Sequence, residues 1–268
     1  MSRRWYAPLA TLALVTGSLL AAGSAAAATP APHAAGVQHA AQPGGIMIRA
    51  GGGARARVSG ARASTATSTN WSGYASDGSH GQYTSVSGAW TEPSGTCAKG
   101  NQYSSFWVGL DGYSSDSVEQ TGTDVDCSGR TPVYYGWYEM FPAFPVNFSN
   151  PVHPGDHFTA SVTFSGTSTF TLSLTDATQG WTQTETQNQS GLDRSSAECI
   201  VEAPSSGSVL PLADFGTVSF SSCQSNGSAI GSQSPIQITM VNNKGVAKDS
   251  VSTLTGGTSF TASWLRKK

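Results

Sequence analysis

From Thr69 onward the chain alternates apolar and polar residues with a period of two, not 3.6. Val133–Phe141 sets Tyr135, Trp137, Glu139 and Phe141 on one face. His157–Phe164 groups Phe158, Ala160, Val162 and Phe164, and Ser168–Leu174 alternates likewise. Ile236–Val241 runs into Asn242-Asn-Lys-Gly245, a hairpin-like turn, and Thr258–Leu265 ends the pattern. Clusters of Gly, Pro, Asn and Asp separate these runs. Many short strands at this spacing predict an all-β chain, an antiparallel β-sandwich. No amphipathic window of helical length stands out, so helix should be scarce.

Composition agrees. Only 11% of the 268 residues are charged, against about 25% in an ordinary soluble domain. Seven Trp, eight Tyr and ten Phe require a core, which excludes a disordered chain. The overall charge of −2 conceals an asymmetry: residues 1–65 hold six Arg and no acid, whereas residues 66–268 hold eight bases against 16 acids, a net −8. An acidic body is the wrong sign for a nucleic-acid binder.

The N-terminus accounts for part of this. Arg3-Arg4 precedes an apolar run from Trp5 to Ala22, and Ala26 and Ala28 form an A-x-A cleavage signal, so residues 1–28 read as a secretory signal peptide. A membrane anchor is the alternative, but the run is short and contains Pro, Gly and Ser. Residues 29–65 are rich in Ala, Gly, Pro and Arg without periodicity. They form either a flexible linker or, preferred here, a disordered basic propeptide that docks on the acidic body and is cut near Arg62–Thr69. The remaining 66–268 form one domain, exported and free of the membrane once the signal is removed. Among the bases, His33 and His39 fall in the basic segment. His80, His153 and His157 sit in loop-like or strand-edge contexts.

Four cysteines lie in the body: Cys97, Cys127, Cys199 and Cys223. No C-x-x-C or H-E-x-x-H spacing supports a metal or redox site, and no metal or cofactor is implied. In an exported protein an even count suggests two disulfides. Cys97–Cys127 and Cys199–Cys223 are expected because each pair flanks a plausible hairpin; free buried thiols are the alternative. There is no G-x-S-x-G elbow, and nothing points to a Ser-His-Asp triad. Ser196–Pro204 is more informative. As a strand it puts Glu198, Ile200 and Glu202 on one face, and two carboxyls on an apolar sheet are costly unless paired or functional.

With the segments Asn70-Trp-Ser-Gly73, Phe106-Trp-Val-Gly-Leu-Asp-Gly112, Glu119-Gln-Thr-Gly122, Trp137-Tyr-Glu139, Ala197-Glu-Cys-Ile-Val-Glu202 and Leu210–Phe215, in this order, the chain resembles the glutamic peptidases, the eqolisins of family G1. The resemblance runs from about Asn70 to Leu265. It implies a concanavalin-like sandwich of two bent seven-stranded antiparallel sheets forming a single catalytic domain. It also implies an acid-acting, pepstatin-insensitive endopeptidase with a Gln/Glu dyad, acting on polypeptides as a monomer. By the motifs, Gln120 takes the glutamine role and Glu202 the glutamate role. Trp71, Trp107, Asp111, Trp137, Glu139, Phe141 and Glu198 take supporting positions around the substrate. Phe141 stands where fungal relatives carry Tyr, and Cys199 replaces an aromatic residue.

The chemistry is coherent with that assignment. Peptide hydrolysis needs a base for water, a donor for the oxyanion and an acid for the leaving nitrogen. One carboxyl can act first as base and then as acid, while a carboxamide donates at any pH. Crowded carboxyls at Asp111 and Glu139 favour protonation of some, hence activity in acid. Two other readings explain the aromatic, weakly charged body: a secreted carbohydrate-binding sandwich, and a glycoside hydrolase using two of Glu139, Glu198 and Glu202.

Overall fold

The computed structural model describes residues 48–49, 64–206 and 208–268. The signal peptide expected at 1–28 and most of the basic segment at 29–65 lie outside the described residues. Seventeen strands follow in chain order: β1 (Ile48–Arg49), β2 (Ser64–Ser68), β3 (Trp71–Asp77), β4 (Ser85–Thr91), β5 (Gln102–Leu110), β6 (Val118–Ser128), β7 (Thr131–Phe141), β8 (Val146–Asn147), β9 (His157–Ser165), β10 (Thr169–Asp176), β11 (Trp181–Asn188), β12 (Ser196–Glu202), β13 (Thr217–Ser225), β14 (Ser228–Ala229), β15 (Ile236–Met240), β16 (Asp249–Val251) and β17 (Phe260–Trp264). Among the described residues the one helical element is a 3₁₀ turn at Ile230–Gln233.

The strands form two sheets packed face to face. One runs β1-β2-β15-β3-β12-β5-β6-β7-β8; the other runs β11-β10-β9-β4-β13-β17-β16, with β14 added against β13. The sandwich is as expected, but the sheets have nine and eight strands rather than seven each. The pairing is antiparallel except at β2 and β15, which run parallel with Ser64 opposite Ile236. That exception arises because β2 and β15 are joined through most of the domain rather than by a hairpin.

Alternation builds the core. Phe158, Ala160 and Val162 of β9 and Phe170, Leu172 and Leu174 of β10 point inward, where they meet Tyr74, Phe106, Val108 and Val201 of the nine-stranded sheet. Trp90 stacks on Phe158, and Phe220 on Phe260. Each such side chain contributes about 1.5–3 kcal/mol on burial.

The cysteines divide. Cys97 and Cys127 are bonded, tying the segment before β5 to the end of β6. The expected Cys199–Cys223 bond is not formed: both are free, buried thiols. These two do not flank a hairpin, since β12 belongs to the nine-stranded sheet and β13 to the other. They meet across the core beside Gly88, and burial and the adjacent Cys223 push the Cys199 thiol well up.

Candidate active site

The nine-stranded sheet has a second apolar cluster on the face turned away from the sandwich core. It contains Trp71, Trp107, Tyr135, Trp137, Ile200 and Val118. Register fixes what lies among these side chains. Across β3, β12, β5, β6 and β7, one row reads Trp71, Glu202, Ser105, Asp124, Tyr135. The next reads Gly73, Ile200, Trp107, Gly122, Trp137, and the third Ala75, Glu198, Gly109, Gln120, Glu139. The period of two therefore delivers Glu198, Ile200 and Glu202 to one face, as the sequence predicts, with Gln120 and Asp124 on the same face two strands away.

Glu202 is fully buried and its carboxyl is held at both oxygens. Trp107 Nε1 donates to Oε2 at 3.0 Å, and Asn70 Nδ2 donates to Oε1 at 3.2 Å. Both contacts are N–H donors to carboxyl oxygens. Gln120 is also buried. Its Nε2 donates to Glu139 Oε2 at 2.8 Å, which sets the amide orientation. Gln120 Oε1 has no hydrogen-bond partner among the described residues.

The Trp107 indole spans the space between the two groups. A Cβ at Gly109 would lie 2.9 Å from Trp107 Cζ3 and 3.2 Å from Gln120 Cβ, and one at Gly122 would lie 2.6 Å from Trp107 Cβ. Only glycine at both positions lets the ring lie over the sheet. Trp71 packs edge-on against it at 4.9 Å. Farther along, Trp137 Nε1 donates to Asp124 Oδ1 at 2.6 Å, and the Tyr135 hydroxyl lies 3.0 Å from Asp124 and 2.6 Å from Asp126. Burial and these two carboxyls push the Tyr135 hydroxyl well above its usual range. Phe141 is half-buried at the edge of the same apolar cluster.

Glu198 and Asp111 belong to a different group. Asp111 stands just past β5 with φ 70° and accepts from Arg194 N at 2.6 Å and Ser195 N at 2.8 Å. It thus clasps the turn that leads into β12. Burial, together with the Asp111 charge, holds the Glu119 carboxyl well above its usual range, and burial does the same to Glu198 with help from Asp111 and Glu119. Asn70 and Asp124 received no role from the sequence. The signal for Asp124 is its place four residues after Gln120 on one strand; that for Asn70 is its place at the head of Asn70-Trp-Ser-Gly73.

The fold and site together describe an all-β hydrolase in which a carboxyl and a carboxamide share one sheet face. The peptidase A4 family model matches residues 69–264. Aspergillopepsin-2 of Aspergillus niger is 31% identical over 191 residues, covering 61% of this chain and 67% of that protein. The fold matches scytalido-glutamic peptidase bound to a transition state analog inhibitor, with a TM-score of 0.64 at 24% identity over 74% of this chain and 98% of that one. It also matches aspergilloglutamic peptidase from Aspergillus niger, with a TM-score of 0.53 at 27% identity over 61% of this chain and 99% of that one. The chain belongs to the peptidase A4 family, the glutamic peptidases of family G1, and is a hydrolase of the endopeptidase class.

Proposed function

We propose that the chain is a secreted, acid-acting endopeptidase working through Gln120 and Glu202, insensitive to pepstatin and active as a monomer. The observation that carries this is the pair of fixed groups around Trp107: a carboxyl gripped by two N–H donors, and a carboxamide anchored by Glu139. In the reaction, Glu202 takes a proton from water as the water oxygen bonds to the scissile carbonyl carbon. The second N–H of Gln120 donates to the oxyanion, and its Oε1 orients the water. Glu202 then returns the proton to the amide nitrogen as the C–N bond breaks.

Gln120 and Glu202 are buried although they face away from the second sheet. The basic residues 29–65 beside an acidic body support a zymogen from which that segment is released. Ile48–Arg49, part of that segment, pairs with β2 at the edge of the same sheet. Neutralisation of carboxyls in acid weakens the attraction of an Arg-rich segment to the acidic body, so release and activity coincide. The relatives support a polypeptide substrate: one is crystallised with the tripeptide Ala-Ile-His.

A second reading rests on register. Glu198 and Gln120 lie opposite the same residue, Gly109, whereas Glu202 lies opposite Ser105. Against Glu198 as base stands its burial, which keeps the proton on in acid. Casein digestion at about pH 3–4, in the carboxyl titration range, with and without pepstatin, tests both. Inactive Glu202→Gln and Gln120→Ala beside active Glu198→Gln is the expected outcome. An inactive Glu198→Gln with an active Glu202→Gln transfers the base to 198, and glycan binding without proteolysis overturns both.

A further inference from the structure

Glu202 is the last residue of β12, where the strand stops constraining its neighbours. What orients its carboxyl comes from the turn between β2 and β3. Ser68 Oγ accepts from Asn70 N at 3.2 Å and Trp71 N at 3.0 Å, and donates to Asn70 Oδ1 at 3.0 Å. The one hydroxyl hydrogen and both lone pairs of Ser68 are thereby used. With Oδ1 occupied by Ser68, the Asn70 amide must present Nδ2 to Glu202. The turn is pinned from three sides: Ala203 N donates to Asn70 O at 2.8 Å, Val241 N to Ser68 O at 2.7 Å, and Lys248 Nζ to Thr69 O at 3.3 Å. Ser68, Asn70 and Glu202 are all buried, so no solvent competes for these bonds.

We infer that Ser68 and Asn70 form a positioning relay that fixes the Glu202 carboxyl. This rests on the assignment of Glu202 as the base. Trp107 donates to one oxygen of that carboxyl, and Asn70 to the other. Removing Asn70 takes away the donor that holds one oxygen of the carboxyl in place. The effect should therefore fall on kcat, while KM should change little. The relay also constrains maturation: a cut after Ser68 would remove its first member, so the mature chain retains Ser68.

The test is a pH–rate series on the acid-activated enzyme with an internally quenched peptide, comparing Asn70→Ala, Ser68→Ala, Ser68→Thr and Glu202→Gln, each with a thermal melt. Hydrogen bonds to charged groups translate to a loss of about 10–100-fold in kcat for Asn70→Ala. KM is expected within about twofold. Ser68→Ala should lower kcat by less, and Ser68→Thr, which keeps the hydroxyl, should restore most of that loss. A melting temperature that falls while kcat stays at the wild-type value overturns the relay. Should Asn70→Ala not fold, the Ser68→Ala and Ser68→Thr pair decides: identical kcat values in the two refute the proposal. Turnover by Glu202→Gln refutes the base assignment itself, whatever Asn70 does.

Discussion

The outward faces of the two sheets are built on the same alternation and have opposite chemistry. On the eight-stranded sheet the outward positions are hydroxyls: Thr159, Ser161 and Thr163 of β9, Thr171, Ser173 and Thr175 of β10, Thr182 and Thr184 of β11. They bond to one another along the ladder, Ser173 to Thr184 at 3.1 Å and Thr175 to Thr182 at 2.9 Å. On the nine-stranded sheet the equivalent positions carry Glu198, Glu202, Gln120, Asp124 and Glu139, set among tryptophans and buried. Hydroxyls stay neutral from strong acid to neutrality, so the first face is hydrated alike throughout. Buried carboxyls are expensive when ionised, so the second face changes with pH and spends stability that only function repays. The backbone does not distinguish the faces. The cost does.

The sharpest way to break this contrast is at the carboxyl face. Glu202→Gln should fold normally and lose about 10²–10⁴-fold in kcat, the usual worth of a general base. A change below tenfold would mean that the costly face is structural. Gln120→Ala should lose about 10²–10³-fold, the worth of an oxyanion donor, with the melting temperature nearly unchanged in acid.

A smaller effect concerns stability against pH. The folded state holds the Glu92, Glu119 and Glu198 carboxyls well above the usual 4.5, chiefly by burial, and raises Asp249 to about 6. A carboxyl raised on folding favours the folded state fully while the unfolded chain is also protonated. That favour is lost as pH climbs from about the unfolded value toward the folded one. Stability should therefore be greatest below about pH 4.5 and decline toward neutrality. Lys248, lowered to about 8, stays protonated across this window and does not alter the trend. Glu119→Gln, which cannot ionise, should raise the melting temperature at pH 7 by a few degrees, about 2–4 °C for each kcal/mol relieved, and change it little at pH 3. Melts from pH 3 to 8 check this, and equal slopes in both proteins would refute it.

The smallest effect belongs to the hydroxyl face. Ser173→Ala and Thr184→Val should each change stability by about 0.5 kcal/mol or less, equally at pH 3 and pH 7, and leave kcat alone. A pH-dependent loss there would erase the distinction between the faces.

Much of this was readable beforehand. Period two in β7, β9, β10 and β15 gave the strands. Ala197–Glu202 showed that Glu198 and Glu202 share a face, since side-chain direction along a strand is local. Glu119-Gln-Thr-Gly122 singled out Gln120. Four things were not readable. The ninth and eighth strands came from short segments such as β8 and β14, too brief to show a period. The parallel pairing of β2 with β15 joins ends distant in the chain. The unbonded Cys199 and Cys223 depend on which sheet each strand joins. The roles of Asn70 and Asp124 depend on what lies across from them.

The sequence by itself determined the sandwich, its acidic body and the two glutamates of β12, because alternation, charge and spacing are properties of neighbours along the chain. What surrounds each of these glutamates was settled only by tertiary structure. Glu198 and Glu202 are four residues apart on one strand and alike in isolation. Burial, with Asp111 and Glu119 adding to it, holds the Glu198 carboxyl well above its usual range, while Trp107 from β5 and Asn70 from the turn before β3 donate to Glu202. Ionisation in a dry interior answers to those neighbours in space, and folding alone selects them.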